Sequence, residues 1–372
     1  MQWHLFCRVV DNFGDIGVAW RLARDLAGRG ESVRLAVDDA SALAWMAPEG
    51  AEGVEVVGWN DAWHGADVIV ELFGGGRPAV AGASATSPLG AWPSNALRPD
   101  VAPSGERPPV FVNVEHLSAE SYVERSHGLP SPSQRDSEPP STTWFFYPGF
   151  TAATGGLLRE PGLLDRRHAF GRGDSWLAAL GIAARSGERR VCLFGYRNEA
   201  LAELLDSLAA EPTLLLLAAG EAADQAAAEL GASLRRGALR AVALPRMSQS
   251  DFDHLLWSCD LNLVRGEDSL VRAIWAGAPF VWQLYVQDDG AHHVKLAAFL
   301  DRFLAGAPSD VAASVAPLFA RWNGMAQGTL PLSMPAVATM AAWAAHCRRW
   351  RDALASQEDL TARLLRFVES KR

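Results

Sequence analysis

Residues 259–279 read CDLNLVRGEDSLVRAIWAGAP. The run Cys259 to Val264 is apolar with a loose alternation and predicts a short buried strand. Residues Leu270 to Ala276 read as a helix that stops at Gly277, with Pro279 beyond, a helix-termination signal. Between them lies Arg265-Gly266-Glu267-Asp268-Ser269, where Ser269 or Asp268 is placed to cap the helix. Strand, glycine turn and helix in that order form the repeating unit of an α/β sheet. Open backbone N–H groups at the helix start, favoured by the helix dipole, make a ready diphosphate site. The same pattern also serves as an ordinary capped turn, so alone it leaves both readings open.

Working outward, this stretch belongs to an alternating series that begins at Arg189. It has strands at Val191–Phe194, Thr213–Ala218, Ala241–Leu244 and Phe280–Tyr285, and helices at Glu199–Ala209, near Ala222–Leu230, and at Ser250–Ser258. A first series occupies the opening 70 residues, with strands at Trp3–Val10, Ser32–Val37, Val54–Val57 and Val68–Leu72 and a helix at Ile16–Ala27. Strands at Val110–Val114 and Trp144–Tyr147 extend it, Gly82–Pro109 reads as a long loop, and Ser131–Thr143 as a polar, mobile stretch. Two such series predict an α/β protein of two Rossmann-like domains facing a central cleft. The expected bounds are 1–184 and 185–349. The tail, helical in period from Trp350 to Val368, is expected to pack back on the first domain over about 350–372.

Composition narrows the class. A formal charge of −9 argues against a nucleic-acid partner, because phosphate backbones select basic surfaces. No run approaches the roughly 20 apolar residues of a membrane span, and the N-terminus lacks the basic head of a signal peptide. The four cysteines stand singly, without metal-ligand spacing, as buried free thiols of a reducing compartment do. A cytoplasmic protein is expected. Asp38-Asp39 and Asp288-Asp289 lack flanking ligands, so neither predicts a metal site. P-loop, G-x-S-x-G and H-E-x-x-H patterns are missing from the sequence.

The first strand ends in Val10-Asp11-Asn12-Phe13-Gly14-Asp15-Ile16-Gly17. Two carboxylates four residues apart would repel a pyrophosphate, so this is no dinucleotide fingerprint. A cationic or hydroxyl acceptor suits it better. Asp15 also reads as a helix N-cap and Asp11 as a turn residue, which leaves the catalytic and structural readings side by side. In the second series, Phe194-Gly195-Tyr196 closes a strand, and Gln249 with Phe252 offers an amide and a ring, the pairing that reads a nucleobase. Tyr285-Val286-Gln287-Asp288 follows the last strand.

These motifs resemble one family. With Leu117-Ser118-Ala119-Glu120, His127-Gly128-Leu129-Pro130-Ser131-Pro132, Pro148-Gly149-Phe150-Thr151 and Thr154-Gly155-Gly156-Leu157, the chain is similar to the bacterial protein-arginine rhamnosyltransferases that modify elongation factor P. The resemblance implies a metal-independent GT-B glycosyltransferase with no cofactor, dTDP-β-L-rhamnose as donor, elongation factor P as acceptor, and inversion at the anomeric carbon. It implies Asp15 as general base, Asp11 as its companion and Glu267 as a further essential carboxylate. Asn12, Phe13, Gly14, Tyr196, Gln249, Phe252, Asp268, Ser269, Leu270 and Tyr285 become donor contacts, with Phe252 stacked on thymine. Arg265 or Arg272 would help stabilise the leaving diphosphate. The chain departs from the family pattern at Gln283 (His expected), Asp289-Gly290 (Glu-Asn), His116 (Tyr) and Ala153 (Lys). Rival expectations are a GT-B transferase acting on a hydroxyl and a catalytically idle nucleotide-sugar-binding protein.

Overall fold

The computed structural model describes residues 1–11, 13–61, 65–78, 108–133, 141–286, 290–325 and 332–372. Asn12, most of the Gly82–Pro109 loop, residues 134–140 and Gln287–Asp289 lie outside the described residues. The chain divides into two compact units, Met1–Glu160 with Gln357–Arg372, and Pro161–Ser356.

The first unit holds a seven-stranded sheet ordered β3-β2-β1-β4-β5-β7-β6. Its strands are β1 (Gln2–Cys7), β2 (Ser32–Val37), β3 (Val54–Gly58), β4 (Val68–Leu72), β5 (Val110–Val114), β6 (Pro130–Ser133) and β7 (Ser141–Phe146). All neighbours pair parallel except β6, which runs antiparallel to β7. Strand periodicity sorts β1 between the two faces: Trp3, Leu5 and Cys7 enter one buried cluster and Phe6 the other. A strand buried on both faces reads as a continuous apolar run, which is why the first strand is legible in sequence. The helix Gly14–Gly28 lays Ile16, Ala19, Trp20, Ala23 and Leu26 against the larger cluster. The expected polar loop over 131–143 is corrected at both ends, where β6 and β7 form. With Pro130 and Pro132, β6 fits only at the sheet edge, where a missing N–H costs no ladder bond.

The second unit holds a six-stranded sheet ordered β10-β11-β9-β8-β12-β13. These are β8 (Arg189–Leu193), β9 (Thr213–Leu217), β10 (Arg235–Arg236), β11 (Leu239–Ala243), β12 (Leu261–Arg265) and β13 (Phe280–Gln283). Only β10 is antiparallel.

Both expected bounds shift. Residues 161–184, expected in the first unit, belong to the second, where their helices pack on Gln249–Ser258. Phe170 stacks on His254 at 4.6 Å, and the Trp176 indole N–H donates to Asp251 Oδ1 at 3.2 Å. The tail is two helices rather than one. Val337–Ala355 stays with the second unit, and Leu360–Glu369 joins the first. Asp359 makes the break: its Oδ1 accepts the Ala362 N–H at 2.9 Å, as an N-cap does, and the Arg29 guanidinium at 2.8 Å. Leu360, Leu364 and Val368 then enter the first unit's core. All four cysteines are free and buried. No helix among the described residues is long and apolar enough to cross a membrane.

Candidate active site

In sheets of this kind ligands bind beyond the carboxyl ends of strands, where the strand order reverses. In the first unit the reversal falls at β1, between β2 and β4. The acidic turn Val10–Asp15 leaves that strand end directly.

Asp15 does not cap its helix. Gly14 is the first helical residue, Phe13 is the N-cap without a side-chain bond, and Asp15 sits inside the first turn. Its side chain reaches back instead, and Oδ2 accepts the N–H groups of Val10 at 2.8 Å and Asp11 at 2.9 Å. The carboxylate is 8% exposed. Burial raises its pKa above the ordinary range, outweighing the two amide hydrogen bonds and the charge of His116, which lower it; Asp11 adds a smaller upward push. A raised carboxylate is a better proton acceptor at neutral pH than an ordinary one. Asp11 lies over Gly14, where a Cβ would stand 2.8 Å from its Oδ2, so the turn needs glycine for close approach. Phe13 packs edge-on to Trp45 at 5.0 Å and pins the turn to the core.

His116, in sequence only a departure from the family pattern, acts electrostatically on Asp15 and stacks on Phe73 at 4.7 Å. Phe73 closes β4 with φ 59°, left-handed backbone that a bulky residue adopts only under constraint. An Asp11→Asn variant should titrate Asp15 lower than the native protein, and a His116→Tyr variant higher. Carboxyl-carbon NMR shifts across an acid titration read both; no movement in either would mean that these neighbours leave the group untouched.

In the second unit the order reverses at β8, between β9 and β12. Phe194-Gly195-Tyr196 leaves β8, and the 265–269 turn leaves β12. The sequence-selected rings come together here. Phe252 meets Phe194 edge-on at 5.1 Å, and Tyr196 meets Tyr285 at 5.6 Å. The Arg265 guanidinium lies 4.4 Å from the Tyr196 ring centroid and 5.0 Å from that of Phe194. Tyr285 is 59% exposed, whereas Gln249, in the first turn of the Phe252 helix, is buried. Gln283, where His was expected, holds this loop: its Oε1 accepts the Tyr196 N–H at 3.0 Å, and a Cβ on Gly195 would stand 2.8 Å from the same oxygen.

The helix after β12 starts earlier than expected, at Gly266, with φ +66°. Neither Ser269 nor Asp268 is its cap. Ser269, in the first turn, accepts the Arg265 N–H at 3.1 Å and donates to the Arg265 carbonyl, so its hydroxyl ties the turn to the helix. Leu270 is fully buried and offers a ligand only its backbone. Arg272 is corrected too. It is 2% exposed and gives Nε and Nη2 to Asp253 at 2.8 and 2.6 Å, a bidentate pair that joins the Phe252 helix to the Glu267 helix. Glu267 is held by Lys295 at 2.7 Å, a partner the sequence did not suggest.

A cavity of about 680 Å³ opens at the other end of the second sheet, where the strands begin. Four of the five arginines that line it are engaged: Arg167 with the Ala276 and Gly171 carbonyls, Arg172 with Asp260, Arg189 with Glu211 and Arg351 with Asp352. Among the described residues no group of three or more His, Cys, Asp and Glu side chains is arranged to hold a metal ion.

The model of the elongation factor P rhamnosyltransferase family, EarP, matches residues 3–369. A protein-arginine rhamnosyltransferase of Pseudomonas aeruginosa is 40% identical, with 98% of each chain covered. One from Shewanella oneidensis is 31% identical over 99% of this chain and 98% of its own. A solved structure described as the basis for EarP-mediated arginine glycosylation of translation elongation factor EF-P aligns with a TM-score of 0.67 at 31% identity, covering 100% of this chain and 99% of that one. The glycosyltransferase VinC, solved with dTDP, aligns over 100% of both chains with a TM-score of 0.50 at 15% identity. The fold is GT-B.

Proposed function

Because the chain belongs to the EarP family of elongation factor P rhamnosyltransferases, we propose that it moves L-rhamnose from dTDP-β-L-rhamnose to an arginine of elongation factor P, with inversion at the anomeric carbon. The first unit supplies the acceptor half of the reaction and the second the donor half. The observation that carries this reading is the acidic turn: a buried, amide-held Asp15 with raised pKa and a second carboxylate beside it.

The acceptor chemistry needs such a turn. A guanidinium is always charged, carries no free lone pair and is a poor nucleophile. Paired carboxylates bind it and orient one nitrogen. In the proposal that nitrogen attacks the anomeric carbon as the carbon–oxygen bond to the diphosphate breaks. As its lone pair leaves resonance the nitrogen becomes more acidic, and its proton passes to Asp15. Products are α-rhamnosyl arginine and dTDP. On the donor side Phe252 stacks on thymine, and Tyr196, Gln249 and Tyr285 surround the nucleotide. N–H groups at the start of the helix Gly266–Ala276 and the Arg265 guanidinium take the charge on the leaving diphosphate. The acceptor is a translation factor, so the reaction belongs in the cytoplasm.

Incubation with dTDP-β-L-rhamnose and elongation factor P, followed by intact and peptide mass, tests this. One deoxyhexosyl increment on a single arginine is expected. An unmodified acceptor, or an increment on a serine or threonine, would reject it in favour of a hydroxyl acceptor or a binding protein without turnover.

A further inference from the structure

Glu267 poses a problem that the fold answers. A carboxylate in the first turn of a helix that receives a diphosphate repels its own ligand. Lys295, one of only two lysines among 34 basic residues, comes from the helix Ala291–Phe303 and donates to Glu267 Oε1 at 2.7 Å. The two side chains are 22% and 17% exposed, so solvent screens the pair only in part. The turn is fixed from a second direction, since the Trp282 indole N–H donates to the Gly266 carbonyl at 2.8 Å. Lys295 Nζ also lies 6.0 Å from the Trp282 ring centroid. The start of this helix is therefore set by β13 and the following helix together.

We propose that Lys295 is a positioning residue: it holds Glu267 in one orientation and cancels its charge, so that the donor diphosphate can sit at the same helix end. The inference rests on the donor site argued above and adds a residue to it. Loss of the ammonium removes the cation 2.7 Å from Glu267 Oε1 and leaves more negative charge beside the ligand. Loss of both charges removes the repulsion again, and a merely structural lysine has no such signature.

Calorimetric titration with dTDP is the test, made on the native protein, Lys295→Met, Lys295→Arg, Glu267→Gln and the Lys295→Met/Glu267→Gln double variant. Like-charge juxtaposition at a binding site is costly, so Lys295→Met should bind dTDP about tenfold or more weakly. Lys295→Arg should stay near native, and the double variant should return to within about twofold of native. Turnover should separate the same variants, with the double variant binding donor while remaining slow, because the carboxylate is gone. Native affinity in Lys295→Met, or a loss that Glu267→Gln does not restore, overturns the proposal. A native protein that fails to bind dTDP would instead overturn the donor assignment, which keeps the two failures distinct.

Discussion

Asp15→Asn should lower kcat for rhamnosyl transfer by about 10²- to 10⁴-fold, the range for loss of a general base, with donor affinity and fold retained. The structure makes this substitution unusually clean. Both the Val10 and Asp11 N–H groups donate to the same oxygen, Oδ2. An asparagine carbonyl placed there keeps both bonds and loses only the negative charge. Stability should hold or rise. The folded pKa of Asp15 is raised, so the native protein loses stability as pH climbs through the ordinary carboxylate value toward the raised one, and stays lower above it. A neutral asparagine has no such loss. Thermal unfolding near neutral pH should therefore give a Tm equal to or above native alongside a collapsed kcat, the trade expected where a site is built at the expense of stability. Near-native turnover in Asp15→Asn would remove it as the base.

The second large effect lies away from the chemistry. Asp253→Ala removes the bidentate carboxylate from Arg272, whose side chain is 2% exposed. Breaking one side of a buried ion pair costs about 3–5 kcal/mol, because the remaining charge is uncompensated. The pair joins the helix bearing Phe252 to the helix bearing Glu267, so dTDP binding should fall with the melting temperature. Replacing both partners, as Asp253→Leu with Arg272→Met, should recover most of the stability. Chemical denaturation with dTDP titration reads all three proteins. A loss under about 1 kcal/mol in Asp253→Ala would show that the pair is incidental to the scaffold.

Much of this was legible from the residues, for reasons that differ by element. Strands β1, β9 and β12 are buried parallel strands and announce themselves as apolar runs bounded by turns. The short edge strands β6 and β10 carry no such signal; β6 even contains two prolines and exists only because β7 offers a partner. The tail misled because Trp350 to Val368 keeps a helical period through a break, and only Asp359 before Leu360 marks the second start. At the site, residue types were readable but their partners were not. Asp15 looked like a cap because it precedes an amphipathic helix; that it reaches backward to two amides depends on where the helix begins. Arg272 looked available because sequence does not show the Asp253 carboxylate 19 residues away folding onto it. Gln283, His116 and Lys295 each act through a neighbour distant in the chain. Their only advance signal was a departure from the family pattern, or a rare lysine.

The decisive property of the reaction is which atom receives the sugar, and with which hand. Heteronuclear NMR of elongation factor P modified by this protein from dTDP-β-L-rhamnose should show one rhamnose joined through its anomeric carbon to an arginine side-chain nitrogen, in the α configuration. A β-configured product, or a link to oxygen, would contradict it.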